Sequence, residues 1–113
     1  MTKSFSSTHL RGGGLQTTWK ALTFRDQAEP ADAVSGERSV QIGGEFATAS
    51  VVIEGSNDGD TFFPLHNPDG VMLARKVPAL DSIREVVNMI RPVIIGGTAK
   101  TKIDVTLVLR VSR

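Results

Sequence analysis

The sequence contains no cysteine, no tyrosine and only one tryptophan, Trp19, in its 113 residues. Without cysteine there is no disulfide framework and no thiolate metal site, so the fold must be stabilised by packing or by a partner. A sugar-binding surface built on aromatic platforms would need more tyrosine or tryptophan than this chain has. We expect Trp19 in the core, because a ring of that size dominates burial in a small domain.

Long apolar runs are also missing. Residues 1–14 contain only isolated Phe5 and Leu10 among Ser, Thr and Gly, so the sequence predicts no signal peptide. No segment approaches the roughly 20 apolar residues that a membrane span needs. A chain of 113 residues is long enough for one domain and too short for two. We therefore expect one soluble domain, made in a cytoplasm and without a membrane partner.

Signals for catalysis are few. His9 lies in a glycine-rich segment and His66 in a turn, and neither has a sequence cue for the orienting group that a catalytic base requires. The stretch Gly96–Thr101 contains Lys-Thr after two glycines, but Ala99 precedes the lysine and a strand follows, whereas a phosphate loop needs a glycine and then a helix. The sequence predicts neither an enzyme nor a cofactor site.

Oxygen ligands are crowded between residues 54 and 60. Glu54, Asn57, Asp58 and Asp60 could in principle hold calcium, but the spacing lacks the full calcium-loop pattern and its distal bidentate glutamate. We therefore predict an ordinary turn stabilised by Asn and Asp side chains, and we assign no metal ligand.

The stretch 51–65 predicts a β-hairpin. Apolar residues at every second position from Ala47 to Ile53 favour a half-buried strand. Turn-forming residues follow, and the pair Asp58-Gly59 suits a turn with two positive φ angles. Pro64 in the returning strand predicts a sheet edge, because proline has no N–H to donate.

Further segments alternate in the same way. The first, 16–24, places Thr17, Trp19, Ala21 and Thr23 on one face, and a strand from Ser39 is predicted to turn or bulge at Gly43-Gly44. The segment 80–89 is predicted to be extended. The clearest strand is 102–111, and its alternation places five residues in the core: Ile103, Val105, Leu107, Leu109 and Val111. Ile53, on the strand before the central turn, is also predicted to lie in the core. About eight short strands separated by turn residues predict an all-β fold, an antiparallel β-sandwich.

Residues 1–14 predict an extended, flexible N-terminal arm, because three consecutive glycines, Gly12–Gly14, are costly to order and offer no side chain to pack. Charge is segregated along the chain: residues 1–25 have no acid, residues 26–60 are strongly acidic, and the remainder is basic again. This pattern favours complementary contact with another protein surface, including a copy of the chain itself, over a nucleic-acid site. The predicted partner-binding residues are Phe5, Leu10, Arg11, Lys20 and Arg25.

Two stretches carry a resemblance to known proteins. An apolar strand followed by Gly55-Ser56-Asn57-Asp58-Gly59 resembles the hairpin of discoidin-like jelly-roll domains. The later stretch Ile90-Arg91-Pro92-Val93-Ile94 resembles one of their later strands. The span 40–110 also resembles small head proteins of tailed bacteriophages, which carry this hairpin, an Ile-Arg-Pro strand, a Gly-Gly turn and a final alternating strand. The resemblance implies a jelly-roll domain over residues 15–113.

The same resemblance implies a structural role in a virion. The expected function is that of a capsid cement or decoration protein, which binds the major capsid protein on the outer surface of a bacteriophage capsid and associates with itself as a dimer or trimer. Two alternatives stay open: a carbohydrate-binding or adhesion module, and a tail or head-completion component of a phage particle.

Overall fold

The computed structural model describes residues 2–33 and 36–110, which form strands and turns without a helix. In chain order the strands are β1 (Thr2–Lys3), β2 (Ser6–His9), β3 (Leu15–Leu22), β4 (Gln27–Ala28), β5 (Ala31–Asp32), β6 (Glu37–Glu45), β7 (Ser50–Ser56), β8 (Phe63–Pro64), β9 (Ala74–Arg75), β10 (Ala79–Ser82), β11 (Met89–Ile95) and β12 (Lys102–Arg110).

Most of these strands form two antiparallel sheets that pack face to face. Sheet 1 has the order β10-β6-β12-β3-β2, and sheet 2 has the order β5-β11-β7-β8, with β9 also paired to β7. The short strands β1 and β4 pair in parallel as a separate ribbon. The predicted all-β antiparallel sandwich is therefore confirmed.

The pairing of eight strands is nested in the manner of a jelly roll. β3 pairs with β12, β5 with β11, β6 with β10, and β7 with β8. Counted along these eight strands, the first pairs with the eighth, the second with the seventh, the third with the sixth and the fourth with the fifth. Such a wound ribbon of two Greek keys is the jelly-roll arrangement.

The core lies between the two sheets and follows the predicted alternation. On β12, Ile103, Val105, Leu107 and Leu109 are buried, and Ile53 on β7 is fully buried. Val111, the remaining member of the predicted set, lies outside the described residues. Trp19 is buried as expected, and its Nε1–H donates to the Glu29 carbonyl at 2.8 Å.

A bulge in β3 corrects one prediction. Ala21 has a φ of 54°, and the register with β12 shifts between the pairs Val105↔Trp19 and Ile103↔Leu22. One extra residue therefore stands on β3, and the Ala21 N–H donates to Asp104 Oδ1 at 2.8 Å instead of to the ladder. Leu22 enters the core, whereas Ala21 and Thr23 were predicted to follow Trp19 there.

The turn into β7 also differs from the prediction. Gly43 and Gly44 do not turn the chain; they lie within β6, where Gly44 (φ 107°) passes so close to β12 that an added Cβ would collide with the Lys102 carbonyl oxygen. The reversal occurs instead at Ala47 and Thr48, both of which have positive φ. Ala47 consequently lies outside the strand in which it was predicted.

The predicted arm follows one edge of sheet 1. β2 pairs with β3 over four residues, from Ser6↔Thr18 to His9↔Leu15. β1 pairs with β4 and thereby reaches the neighbourhood of sheet 2. Residues 2–9 are thus extended, as predicted, and hydrogen-bonded to the sandwich.

Candidate interaction site

The five predicted partner-binding residues do not form one surface. Phe5 packs its ring against Trp19 edge to face, with centroids 5.7 Å apart, and Leu10 is half-buried near the turn between β2 and β3. Arg11 is exposed in that turn, whereas Arg25 follows the far end of β3, where it stacks on Phe24 and borders an open groove of about 370 Å³. Lys20 pairs with Asp104 at 3.3 Å. The eight residues of β3 separate the Arg11 turn from Arg25.

Exposed hydrophobic side chains mark a different surface, which we call the apolar flank and define as residues 63–86. It comprises β8, the hairpin 66–72, β9, β10 and the first residues of the connection to β11. It carries six of the eight large hydrophobic side chains that are exposed in the described part of the chain: Phe63, Val71, Met72, Val77, Leu80 and Val86. Exposed hydrophobic side chains gathered on one side of a small domain indicate an interaction site.

The apolar flank joins the edges of both sheets. β8 ends sheet 2 and β10 ends sheet 1. Arg75 on β9 binds Asp81 on β10 through two hydrogen bonds, from Nε to Oδ2 at 2.9 Å and from Nη2 to Oδ1 at 3.0 Å. A two-point arginine–carboxylate contact fixes both partners in orientation as well as distance. The two sheet edges are therefore held together as one surface.

His66 and Glu85 fasten the hairpin 66–72 to the connection between β10 and β11. The His66 backbone N–H donates to Glu85 Oε1 at 2.8 Å, and His66 Nδ1 lies 2.6 Å from Glu85 Oε2. Burial raises the pKa of Glu85, but these bonds with the His66 backbone and ring outweigh it, so the pKa lies below its ordinary value. Sequence reasoning missed this pair, because its members are 19 residues apart and lie on two irregular segments.

An open groove of about 290 Å³ runs along one end of the apolar flank. Phe63, Pro64 and Val87 supply apolar walls, and Asn57 and Asp58 supply polar ones. Phe63 is 64% exposed beside this groove. A ligand there would meet an aromatic ring next to side-chain amide and carboxylate groups.

The turn after β7, which was predicted to be an ordinary turn stabilised by Asn and Asp side chains, is filled by its own hydrogen bonds. The Ser56 hydroxyl donates to Asp58 Oδ1 at 2.9 Å, and the same oxygen accepts the N–H groups of Asp60 and Thr61. The backbone N–H groups of Thr61 and Asp60, followed by the Ser56 hydroxyl, lower the pKa of Asp58 to about 2. The predicted pair of positive φ angles is wrong in part, because only Gly59 of the pair Asp58-Gly59 has one.

Glu54, another of the four candidate ligands, is engaged elsewhere. Glu54 Oε1 accepts from Arg91 Nη2 at 3.0 Å and from Arg91 Nε at 3.1 Å, and the same guanidinium lies over the Phe62 ring at 3.8 Å. Within residues 2–33 and 36–110, no three His, Cys, Asp or Glu side chains are grouped as a metal site would require.

The comparisons with known proteins do not identify a relative. Residues 2–33 and 36–110 contain no helix that is long and apolar enough to span a membrane. The chain matched no protein-family model, no curated protein and no solved structure.

Proposed function

We propose that this chain is a structural, non-enzymatic protein that binds other protein subunits, and that it serves as a cement protein on the outer surface of a tailed-bacteriophage capsid. The observation that carries the proposal is the apolar flank, in which six large hydrophobic side chains are exposed within residues 63–86, beside the edges of the two sheets. Its proposed partner is the major capsid protein. The resemblance of the span 40–110 to small head proteins of tailed bacteriophages supports the virion setting.

A cement protein needs an adhesive surface that is already ordered. A capsid filled with compressed nucleic acid is pushed outward, and the seams between coat subunits open first. The contacts Arg75–Asp81 and His66–Glu85 hold the apolar flank in place before binding, so little conformational entropy is lost on attachment. Many copies on one particle then act as a multivalent array, so a modest affinity per copy is sufficient.

One observation favours a second function, a carbohydrate-binding module. Phe63 is exposed beside a groove that also presents Asn57 and Asp58, an arrangement in which a sugar ring could stack on the phenyl group while its hydroxyls bind the polar side chains. A glycan array separates the two functions, because a cement protein gives no glycan signal. A tail or head-completion role would use the same flank, and cryo-microscopy of the intact particle locates the protein.

The direct test mixes purified protein with capsids assembled without it. Val86 is 73% exposed on the apolar flank, so Val86→Asp should fold normally and reduce occupancy by about tenfold or more, because a charge would have to be desolvated at the contact. The matched control is Ile95→Asp, since Ile95 is 53% exposed and lies outside the flank. Equal occupancy for the two variants, or failure of the wild-type protein to bind capsids, would refute the proposal.

A further inference from the structure

The outer face of sheet 1 carries two complete rows of side chains that cross all five strands. The register of the five strands aligns residues that all point away from the core and are half-buried or exposed. We call them the two polar rows. The first row, from β2 to β10, is Ser6, Thr18, Thr106, Gln41 and Leu80, and the second is Thr8, Gln16, Val108, Ser39 and Ser82.

None of these ten side chains is charged. Charged residues make up 22% of the sequence, and the surface of a small soluble domain typically contains about 25–35% of them. Depletion of charge over a continuous patch is the compositional sign that distinguishes the centre of a protein interface from ordinary surface. The polar rows therefore have the composition of an interface and not that of a solvated face.

The chemistry of the polar rows is complementary to itself. Hydroxyl and carboxamide groups are donors and acceptors at once, so the same patch can pair with a second copy of itself. Thr18 and Thr106 already form such a pair within the face, with 3.3 Å between their hydroxyl oxygens. The amides of Gln16 and Gln41 have no hydrogen-bond partner among the described residues and remain available for a partner.

Both borders of the face carry charges of both signs. At one border Glu37 and Arg110 are cross-strand partners, and at the other Lys20 pairs with Asp104 at 3.3 Å. A partner that carries mainly one sign of charge, such as nucleic acid, would require a border that carries only the opposite charge. In a two-fold dimer each residue i meets j while j meets i, so a border with mixed signs can pair with its own copy.

We infer that the polar rows form a two-fold interface between two copies of this chain. Five strands about 4.8 Å apart, and four rows when the charged borders are included, give a face of about 20 by 20 Å. Two such faces bury about 800 Å² in total, below the roughly 1,200–2,000 Å² of stable specific interfaces, so we predict a weak, transient dimer with a dissociation constant in the micromolar range. The inference does not depend on capsid binding, which is proposed for the apolar flank; Leu80 and Ser82 belong to both surfaces.

Sedimentation equilibrium from about 1 to about 500 µM tests the inference, because this range brackets a micromolar dissociation constant. We expect the wild-type protein to pass from monomer to dimer. Thr106→Arg places a like charge from each copy near the middle of the interface and should raise the dissociation constant by about tenfold or more. Gln41→Arg, on the neighbouring strand, should act in the same way, and thermal unfolding of both variants verifies that they fold.

Val86→Asp is the control, since it alters the apolar flank and leaves the polar rows intact. It should dimerise like the wild-type protein. A wild-type protein that stays monomeric over the whole range, or that forms trimers, would overturn the inference. So would undiminished dimerisation of both arginine variants, and loss of the dimer in Val86→Asp alone would assign self-association to the apolar flank. Capsid binding by Thr106→Arg, measured separately, shows that the two surfaces act independently.

Discussion

Arg38 is a buried cation whose guanidinium is only partly satisfied. The residue is 6% exposed, and Nη1 donates to the Glu85 carbonyl at 2.9 Å, but Nε and Nη2 have no hydrogen-bond partner within the described ranges. A buried charge without a compensating group loses its hydration and gains little in return. Arg38 therefore contributes a cost that the surrounding core must offset.

We predict that Arg38→Met stabilises the protein by about 1 kcal/mol or more, because the methionine fills similar space without a charge to desolvate. Urea titration measures the change in the free energy of unfolding. Arg38→Ala is the control and should be less stable than Arg38→Met, because it leaves a cavity. If Arg38→Met is less stable than the wild-type protein, the guanidinium must be satisfied in solution by water or an anion.

Asp58 gives a prediction for the effect of pH. Its pKa is lowered from 3.8 to about 2 by hydrogen bonds that the charged carboxylate accepts in the folded state. A group with a depressed folded pKa stabilises the protein above its unfolded pKa and loses that effect as pH falls through the folded value. The contribution of Asp58 is thus complete above about pH 4 and disappears towards pH 2.

Asp58→Ala should therefore lower the melting temperature at pH 7, and its difference from the wild-type protein should shrink between pH 4 and pH 2. Asp69→Ala is the control, because the Asp69 carboxylate has no hydrogen bond in the part of the chain that the structure describes. Thermal unfolding across this pH range is the measurement. A difference for Asp58→Ala that is constant with pH would contradict the assigned hydrogen bonds.

Among the elements, the corner between β6 and β7 is strained by the residues that form it. Ala47 and Thr48 have φ angles of 46° and 70°. The left-handed region costs an L-residue about 1–2 kcal/mol, and a β-branched side chain such as Thr48 is especially unfavourable there. Glycine removes the clash because it has no Cβ.

We predict that Thr48→Gly stabilises the protein by about 1 kcal/mol, measured by chemical denaturation. The matched control is Thr61→Gly, an exposed position without positive φ, where glycine should destabilise by about 0.5–1 kcal/mol through the added freedom of the unfolded chain. Equal effects of the two substitutions would mean that the corner relaxes in solution.

Sequence reasoning reached the elements that are governed by local pattern. The alternation on β12 and the turn residues before Phe63 predicted a core strand and a hairpin, since side-chain period and turn chemistry act over a few residues. The bulge at Ala21 escaped prediction because no glycine marks it and the compensating acceptor, Asp104, is 83 residues away. The corner at Thr48 was not predicted either, because the pair Gly43-Gly44 is a stronger sequence signal for a turn than Ala47 and Thr48.

The candidate surfaces were much less predictable than the fold. Phe5 was predicted to bind a partner, but its ring faces Trp19, which only the pairing of β2 with β3 brings close. The polar rows require the register of four strand pairs, and a shift of one residue between β12 and β6 would replace Thr106 or Gln41 in its row by a core residue. Sequence spacing alone does not contain that information.

At the scale of the whole molecule, the nested pairing predicts slow folding. β3 pairs with β12, so the two strands that meet are separated by most of the chain. Closing so long a loop loses chain entropy before any contact compensates for it, and folds dominated by such pairing take milliseconds to seconds. We predict a folding time in that range in stopped-flow experiments that follow Trp19 fluorescence; completion within about 100 µs would contradict a rate limit set by topology.

The position of β12 between β3 and β6 has a consequence for synthesis on the ribosome. Translation supplies β12 after every other described strand, yet sheet 1 has no continuous ladder without it. Until then β3 and β6 expose open edges and a hydrophobic face to solvent, and both features favour aggregation and chaperone binding. The domain should therefore fold only after residues 102–110 have emerged from the ribosome, and not progressively during translation.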